Sequence, residues 1–414
     1  MNHEVWYTVA EGRVQRLTLA MFALTLVAGA TAAGATSVAW GLLALGAGAL
    51  ALAQLVSVPA PSGERLHLGV AVAAAVPLLT DDYAAVTTVY AFGMAGSLLL
   101  SVLRREERRE ERREDVARHL SDLLATAVLG VVFFAISALR DLGSSEWGRV
   151  FALAAAGVAW YAVRAILRSL VGFERQDLAP RYLWLLALED WSAVVSLFIA
   201  GALFGLAWPV MGAWALPMAA MPYTFSHLAF VRYNDTRLTY RQMIRALGQI
   251  PEVAGLAPTG HASRTAELSV AIARELGVHP DAVVELEYAA LMHDVGRITL
   301  NEPAILRAGY TDEDIARWGA QIIAEAPHLA RVAELVRAQY LPYRLAGQER
   351  DGTVPLSSKI IKAASAYDDA LHELALAPID ALERVHRGSA YDFDPEVAAS
   401  LRRVLAHRGE IMAR

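Results

Sequence analysis

Residues 14–231 form one apolar stretch after another, more than a single water-soluble core could bury. Most of these stretches approach the roughly 20 residues that cross a hydrocarbon layer as a helix. Eight membrane spans are expected, at 15–34, 37–58, 66–80, 84–103, 121–139, 150–170, 182–208 and 210–230. The third is short, and the break between the last two is weakly marked at Trp208 and Pro209. The first could pass for a signal peptide after Arg13 and Arg16, but no cleavage site stands out before the next apolar segment, so an uncleaved helix is expected. Hydrophobic residues make up 56% of the chain and charged residues only 19%, against about a quarter charged in an ordinary soluble domain. Three parts follow: a transmembrane region 1–231, a connector helix 232–254 and a soluble domain 255–414.

Arginine placement sets the expected orientation. With the N-terminus inside, inner loops hold Arg65, the run 104–118, and Arg168, Arg175 and Arg181, while outer loops hold Asp81 and Asp82. An even number of spans then puts both termini in the cytoplasm. Lysine occurs only at Lys359 and Lys362. That bias, with abundant alanine, suggests a GC-rich bacterial genome and hence the bacterial inner membrane, with the lipid bilayer as first partner. The net charge of −6 gives no sign of nucleic-acid binding, and the absence of cysteine excludes disulfides and thiolate sites.

Two charged features interrupt the apolar region. Arg164 falls inside the sixth span, and Glu189 and Asp190 fall inside the seventh. Charges at that depth pair or mark a site, so an ion pair of Arg164 with Glu189 or Asp190 is one expectation; an interfacial helix start with a snorkelling Arg164 is the other. The run from Arg104 to Asp115 repeats two arginines and two acids with period four. It aligns like charges along helical stripes, which suits either a homodimer of matching stripes or a solvated cytoplasmic helix at 104–118.

From Tyr233 the pattern is helical throughout, and no run of alternating β-branched residues demands a sheet. Helices are expected at 236–250, 261–276, 280–293, 311–325, 328–340, 355–373, 378–387 and 394–408, with Asp281 and Asp394 as N-caps. The fold class is therefore all-α: a polytopic helical bundle followed by an all-helical domain. Within that domain, His293 and Asp294 end an apolar helical run and are followed by Gly296, about 30 residues after His261. An imidazole and a carboxylate side by side can bind a divalent ion whose water attacks a phosphate ester.

Residues 255–408 resemble the HD superfamily of metal-dependent phosphohydrolases, specifically its HD-GYP branch. The likeness is carried in order by His261 to Arg264, Ala273 to Gly277, Ala289 to Ile298, Pro303 to Leu306, Gly309 with Thr311 to Asp314, Val332 to Arg337, Pro355 to Asp368, and Phe393 to Val397. The resemblance implies hydrolysis of cyclic di-GMP at a site with two or three iron or manganese ions. His261, His293 and Asp294 match its first ligands. Elsewhere the chain departs: Trp318 and Gly319 follow where a His-Pro ligand is expected, the paired histidines fall on Gln339 and Tyr340, and the last aspartate falls on Ser365. The Gly-Tyr-Pro signature is reduced to Leu341, Pro342, Tyr343 and Arg344, and Arg297 replaces the lysine after the His-Asp pair.

Neutral amides, phenols and hydroxyls are poor substitutes for imidazole and carboxylate. The expected metal ligands are thus His261, His293 and Asp294, with Asp369, one turn beyond Ser365, as a fourth. That set implies a single divalent ion, iron or manganese, held weakly or not at all. Asp294 and Arg297 are the candidate catalytic residues. Arg264, Arg297 and Lys362 could bind a phosphorylated nucleotide, or pair structurally with Asp294, Glu302 or Asp368. His279, His328, His372, His386 and His407 show no convergent spacing. The expected function is a membrane-anchored signalling protein whose degenerate hydrolase domain binds a nucleotide or partner. A phosphodiesterase working with a reduced site is the rival.

Overall fold

A computed structural model describes residues 23–24, 26–60, 65–103, 109–139, 145–176, 182, 185, 188, 190–345 and 352–411. Among them the chain is helical with almost no sheet. It divides into two compact units, Met1–Val171 with Leu186–Asn234, and Gly172–Leu185 with Asp235–Arg414.

The first unit contains α1 (Leu26–Ala35), α2 (Trp40–Ala53), α3 (Gly69–Leu79), α4 (Tyr83–Leu103), α5 (Arg109–Ser137), α6 (Glu146–Gln176), α7 (Trp191–Met211) and the start of α8 (Ala215–Gly248). Three stretches are long and apolar enough to cross a membrane: Tyr83–Leu100, Trp147–Leu167 and Trp191–Val253. Four shorter apolar helices are Leu26–Ala35, Trp40–Ala53, Gly69–Leu79 and Ser121–Ser137. Leu50, Phe133, Trp160 and Leu197 are almost wholly buried between the helices, while Trp40, Trp147, Phe151, Val158, Trp214 and Phe225 face outward.

Three local expectations change in this unit. The last apolar break falls at Gly212, not at Trp208 and Pro209, because Pro209 is accommodated within α7. Gly212 adopts φ 53°, a backbone conformation that costs glycine least. The loop before α3 contains an antiparallel ribbon, Ser57–Pro59 paired with Arg65–His67. Two three-residue strands are too short for alternation to reveal, yet Val58 and Leu66 are buried in the core.

The third change concerns Arg164, which is buried rather than snorkelling. Its Nε donates to Asp122 Oδ1 at 3.0 Å, and its guanidinium lies 5.4 Å from the Trp160 ring centre. His67 Nδ1 lies 3.6 Å from the second oxygen of Asp122. Asp122 was not among the expected partners, because its place at the start of a span reads as an interfacial residue. Glu189 and the 104–108 part of the charged run lie outside the described residues; residues 109–118 are helical as part of α5.

The second unit contains α9 (Ile250–Val253), α10 (His261–Glu275), α11 (Pro280–Met292), α12 (Pro303–Ala308), α13 (Asp312–Ala324), α14 (Ala330–Arg337), α15 (Leu356–His372), α16 (Pro378–Arg387) and α17 (Pro395–His407). A 3-10 segment, Val295–Asn301, and the short α12 fill the expected gap between 293 and 311. The expected connector 236–250 is not a separate helix: α8 runs unbroken to Gly248. Asp281 is not the N-cap of α11. His279 takes that place and its Nδ1 accepts from Asp281 N at 3.4 Å, since Pro280 sits at the first helical position. Asp394 does cap α17, accepting from Glu396 N at 2.9 Å, and Thr311 closes a capping box with Asp314 on α13. Helix α10 packs against both α11 and α15, which brings the chemistry-bearing residues together.

Candidate metal centre

The site is built where three helices meet. His261 is the first residue of α10, His293 and Asp294 follow the last residue of α11, and Ser365, Asp368 and Asp369 lie on α15. His261, His293 and Asp294 are each at most 2% exposed. Gly296 explains how Asp294 is held. A Cβ there would lie 2.0 Å from the Ile315 carbonyl oxygen and 2.7 Å from Gly319 N. Only glycine lets the turn after Asp294 press backbone to backbone on α13. Gly319 is the matching small residue, which gives the Trp318–Gly319 departure a packing role.

His261 Nε2 and His293 Nε2 face one another at 3.1 Å, and Asp294 Oδ2 lies 3.8 Å from the first and 3.7 Å from the second. A point equidistant from these atoms lies about 2.1 Å from each, the length of a metal–imidazole or metal–carboxylate bond. The outer nitrogens explain the inward pointing. His293 Nδ1 donates to the Ala290 carbonyl at 2.8 Å, and His261 Nδ1 donates to Asp368 Oδ2 at 2.7 Å. With Nδ1 protonated in both rings, the two Nε2 lone pairs aim at one centre, an arrangement that needs a shared cation or proton. Asp294 Oδ2 is buried with no hydrogen-bond donor. Leaving such an acceptor unmet costs about 1–3 kcal/mol. The residues present therefore fit a divalent cation.

Electrostatics agree. Burial would raise the Asp294 carboxyl, but His293, Arg297 and His261 outweigh it and hold it below its usual range. Burial lowers His293 and keeps it neutral, as a ligand must be. At His261 burial is outweighed by the Asp368 hydrogen bond and by the charges of Asp294, Asp369 and Asp368, so its basicity is raised.

The remaining expected residues are placed as follows. Arg297 Nε donates to Asp294 Oδ1 at 2.7 Å, leaving only Oδ2 for a cation. Arg264 forks onto Asp368, Nε to Oδ1 at 2.7 Å and Nη2 to Oδ2 at 2.9 Å. Both arginines thus take the structural pairings expected of them as the alternative to phosphate binding. Lys362 Nζ donates to the carbonyls of Tyr340 and Leu341 and stands over the Phe393 ring. Asp369 is not a fourth corner of the triangle. Its Oδ1 lies 3.4 Å from His261 Nδ1, the nitrogen turned away from the centre. Burial pushes its carboxyl up to about 6.

Ser365 Oγ lies 3.4 Å from His261 Nε2, so it occupies the side facing the centre. Gln339 is 2% exposed; its amide donates to the His293 carbonyl at 2.8 Å, and its Oε1 is buried without a partner. Asp368 was missed as a ligand-orienting residue, although it shares the α15 face of Ser365 three residues on.

The His, His and Asp arrangement lies within residues 259–370, which match the HD domain family. Among curated proteins, a 3'3'-cGAMP-specific phosphodiesterase 3 of Vibrio cholerae is 28% identical over 180 residues, 39% of this chain and 38% of that protein. A cyclic di-GMP phosphodiesterase of Thermotoga maritima is 25% identical over 151 residues, 34% of this chain and 40% of that protein. The chain therefore spans about two fifths of the length of the curated relatives it matches.

Proposed function

We propose that this chain is a membrane-anchored bacterial signalling protein whose C-terminal domain, 255–414, is a degenerate HD-GYP-like domain with one cation site. It binds a phosphorylated nucleotide, in the class of the cyclic dinucleotides its relatives are named for, rather than hydrolysing it efficiently. The carrying observation is the donor set. Three strong ligand atoms converge, while Gln339, Tyr340 and Ser365 stand where further imidazoles and a carboxylate would be needed. When bound, a divalent ion supplies Lewis-acid polarisation of a phosphate oxygen. The chain's own residues do the rest: His261 and His293 present lone pairs, Asp294 supplies charge, and Arg297 keeps a cation beside that carboxylate. A two-metal clamp needs more donors than these.

The membrane part of this proposal rests on the outward apolar residues of the first unit, with Trp40, Trp147, Trp191 and Trp214 more than half exposed. Tryptophan in such numbers suits the two interfaces of a bilayer. Eight spans with both termini in the cytoplasm remain the topology proposed.

The rival, a working phosphodiesterase with a reduced site, is favoured by the intact His261, His293 and Asp294 triangle and the names of the relatives. Elemental analysis of the purified protein with a turnover assay on cyclic di-GMP and 3'3'-cGAMP decides between them. The proposal expects at most one iron or manganese per chain, lost in His293→Ala, and no multiple turnover. Sustained hydrolysis that is lost with the metal in His293→Ala overturns it, at one metal per chain as much as at two.

A further inference from the structure

The segment that ends α8 touches the backbone beside both histidine ligands. Along the part of α8 that belongs to the second unit, Arg241 Nε donates to Glu287 at 2.6 Å, Ile244 is fully buried and Gly248 is buried. These residues follow the spacing of one helical face. At Gly248 the approach is closest: a Cβ would lie 2.1 Å from the Leu291 carbonyl oxygen and 2.9 Å from its carbon. Leu291 is two residues before His293 and next to Ala290, whose carbonyl holds the His293 ring.

Four residues beyond Gly248, Glu252 reaches the other ligand. Its Oε2 accepts from Gly260 N at 2.7 Å and its Oε1 from Ala262 N at 3.0 Å. Those two amides flank His261 at the start of α10, where the N-cap position is Gly260 and offers no side chain. Free N–H groups at a helix start need an acceptor, and a carboxylate is the strongest one there. Glu252 therefore caps a helix across eight intervening residues and fixes the backbone on both sides of His261.

We propose that Gly248 and Glu252 form a two-point yoke that sets the spacing of His261 and His293, and that α8 is the lever acting on it. Both are positioning residues: neither offers an atom to the centre. Because Gly248 ends α8 and Glu252 follows four residues on in α9, a shift or rotation of the part of α8 within the second unit moves the Leu291 carbonyl and the Glu252 cap together. The 3.1 Å separation of the Nε2 atoms changes with them. The inference deepens the proposed one-cation site and rests on it.

The test uses the full-length protein in lipid nanodiscs, with Mn2+ as probe. Outer partners of metal ligands typically carry about 10–100-fold in affinity, so Glu252→Gln and Gly248→Ala should each weaken Mn2+ binding about 10-fold. Arg408→Gln, which removes a surface contact to the Glu267 carbonyl, should leave it unchanged. The thermal midpoint and the Mn2+ affinity are read on the same samples. A loss of midpoint with full affinity in the folded protein would make the yoke merely structural and overturn the proposal. Imidazole 15N resonances of His261 and His293, recorded without metal, give the second readout and should shift in both variants. If wild type binds no Mn2+ while these resonances shift, the one-cation site fails and the yoke stands. If wild type binds Mn2+ and neither variant changes affinity or resonances, the yoke fails and the cation site stands.

Discussion

Asp122 and Asp294 are both almost fully buried, and each carries an arginine on one carboxylate oxygen, at 3.0 Å from Arg164 and 2.7 Å from Arg297. The difference is the second oxygen. That of Asp122 faces His67 at 3.6 Å in a cluster backed by Trp160. That of Asp294 has no donor and looks at two imidazole lone pairs. One carboxylate is closed by the protein around it, and the other is left with capacity to spare. A buried ion pair taken alone marks neither stability nor function. The unmet oxygen separates the two cases.

The largest expected effect lies on the closed side. Asp122→Leu leaves Arg164 buried without its partner, which should cost about 3–5 kcal/mol. Denaturation of the protein in detergent measures it, and Asp122→Leu with Arg164→Leu together should recover most of the loss. A single variant as stable as wild type would show that water or lipid headgroups reach Arg164, and the contrast with Asp294 would lose its first term.

On the open side the loss should appear in binding. Asp294→Asn removes the charged corner of the triangle, so Mn2+ affinity should fall by more than the roughly 10–100-fold typical of outer partners. Stability should change far less than in Asp122→Leu, because the wild-type carboxylate already leaves one oxygen unmet. Isothermal titration and a thermal melt on the same preparation give both numbers. A melt that drops as far as that of Asp122→Leu would make Asp294 another structural aspartate.

Arg264 sharpens the contrast. It holds Asp368, which orients His261, so Arg264→Leu should weaken Mn2+ binding about 10-fold through two intermediaries. Titration with inorganic phosphate in the presence of Mn2+ separates this role from direct ligand contact. Unchanged metal affinity with lost phosphate binding would return Arg264 to the phosphate-binding role that its position first suggests.

Much of this was legible in the sequence for identifiable reasons. Helices α11, α16 and α17 begin on a proline, α15 follows Pro355, and α13 has its capping box, so with the 3.6-residue apolar period their limits fall within a few residues of expectation; α14 is shorter than expected and the short α12 was not expected. His261, His293 and Asp294 were legible because metal chemistry restricts residue type. What escaped was pairing across distance. Asp122 and Arg164 are 42 residues apart, and Glu252 caps a helix through a loop. Neither leaves a periodic signal, since a long-range partner is chosen by the fold. One turn beyond Ser365 along α15 points to Asp369, whereas Asp368 is the residue that reaches His261. One residue on a helix is a rotation of about 100°, enough to decide which carboxylate reaches the His261 ring.

The smallest effect tests a pair that belongs to neither class. Glu275 on α10 accepts from Arg403 Nη2 at 3.0 Å and from the Ser400 hydroxyl on α17, joining two helices at a half-open edge. Burial would raise its carboxyl, but the hydrogen bonds from Arg403 and Ser400 and the charges of Arg403 and His407 outweigh it and hold it below the ordinary 4.5. A depressed folded value means the stabilisation is fully present above the unfolded value and is lost as pH falls through the folded one. The contribution should be about 1 kcal/mol, because Arg403 is half exposed and screened. Comparing urea midpoints of wild type and Glu275→Gln at pH 7 and below pH 4 cancels the metal-site carboxylates, which titrate in both proteins. The gap between the two should close on acidification. A gap that persists in acid would mean that Glu275 acts through packing rather than through its charge, leaving Asp122 as the carboxylate whose charge the fold depends on and Asp294 as the one whose charge serves the cation site.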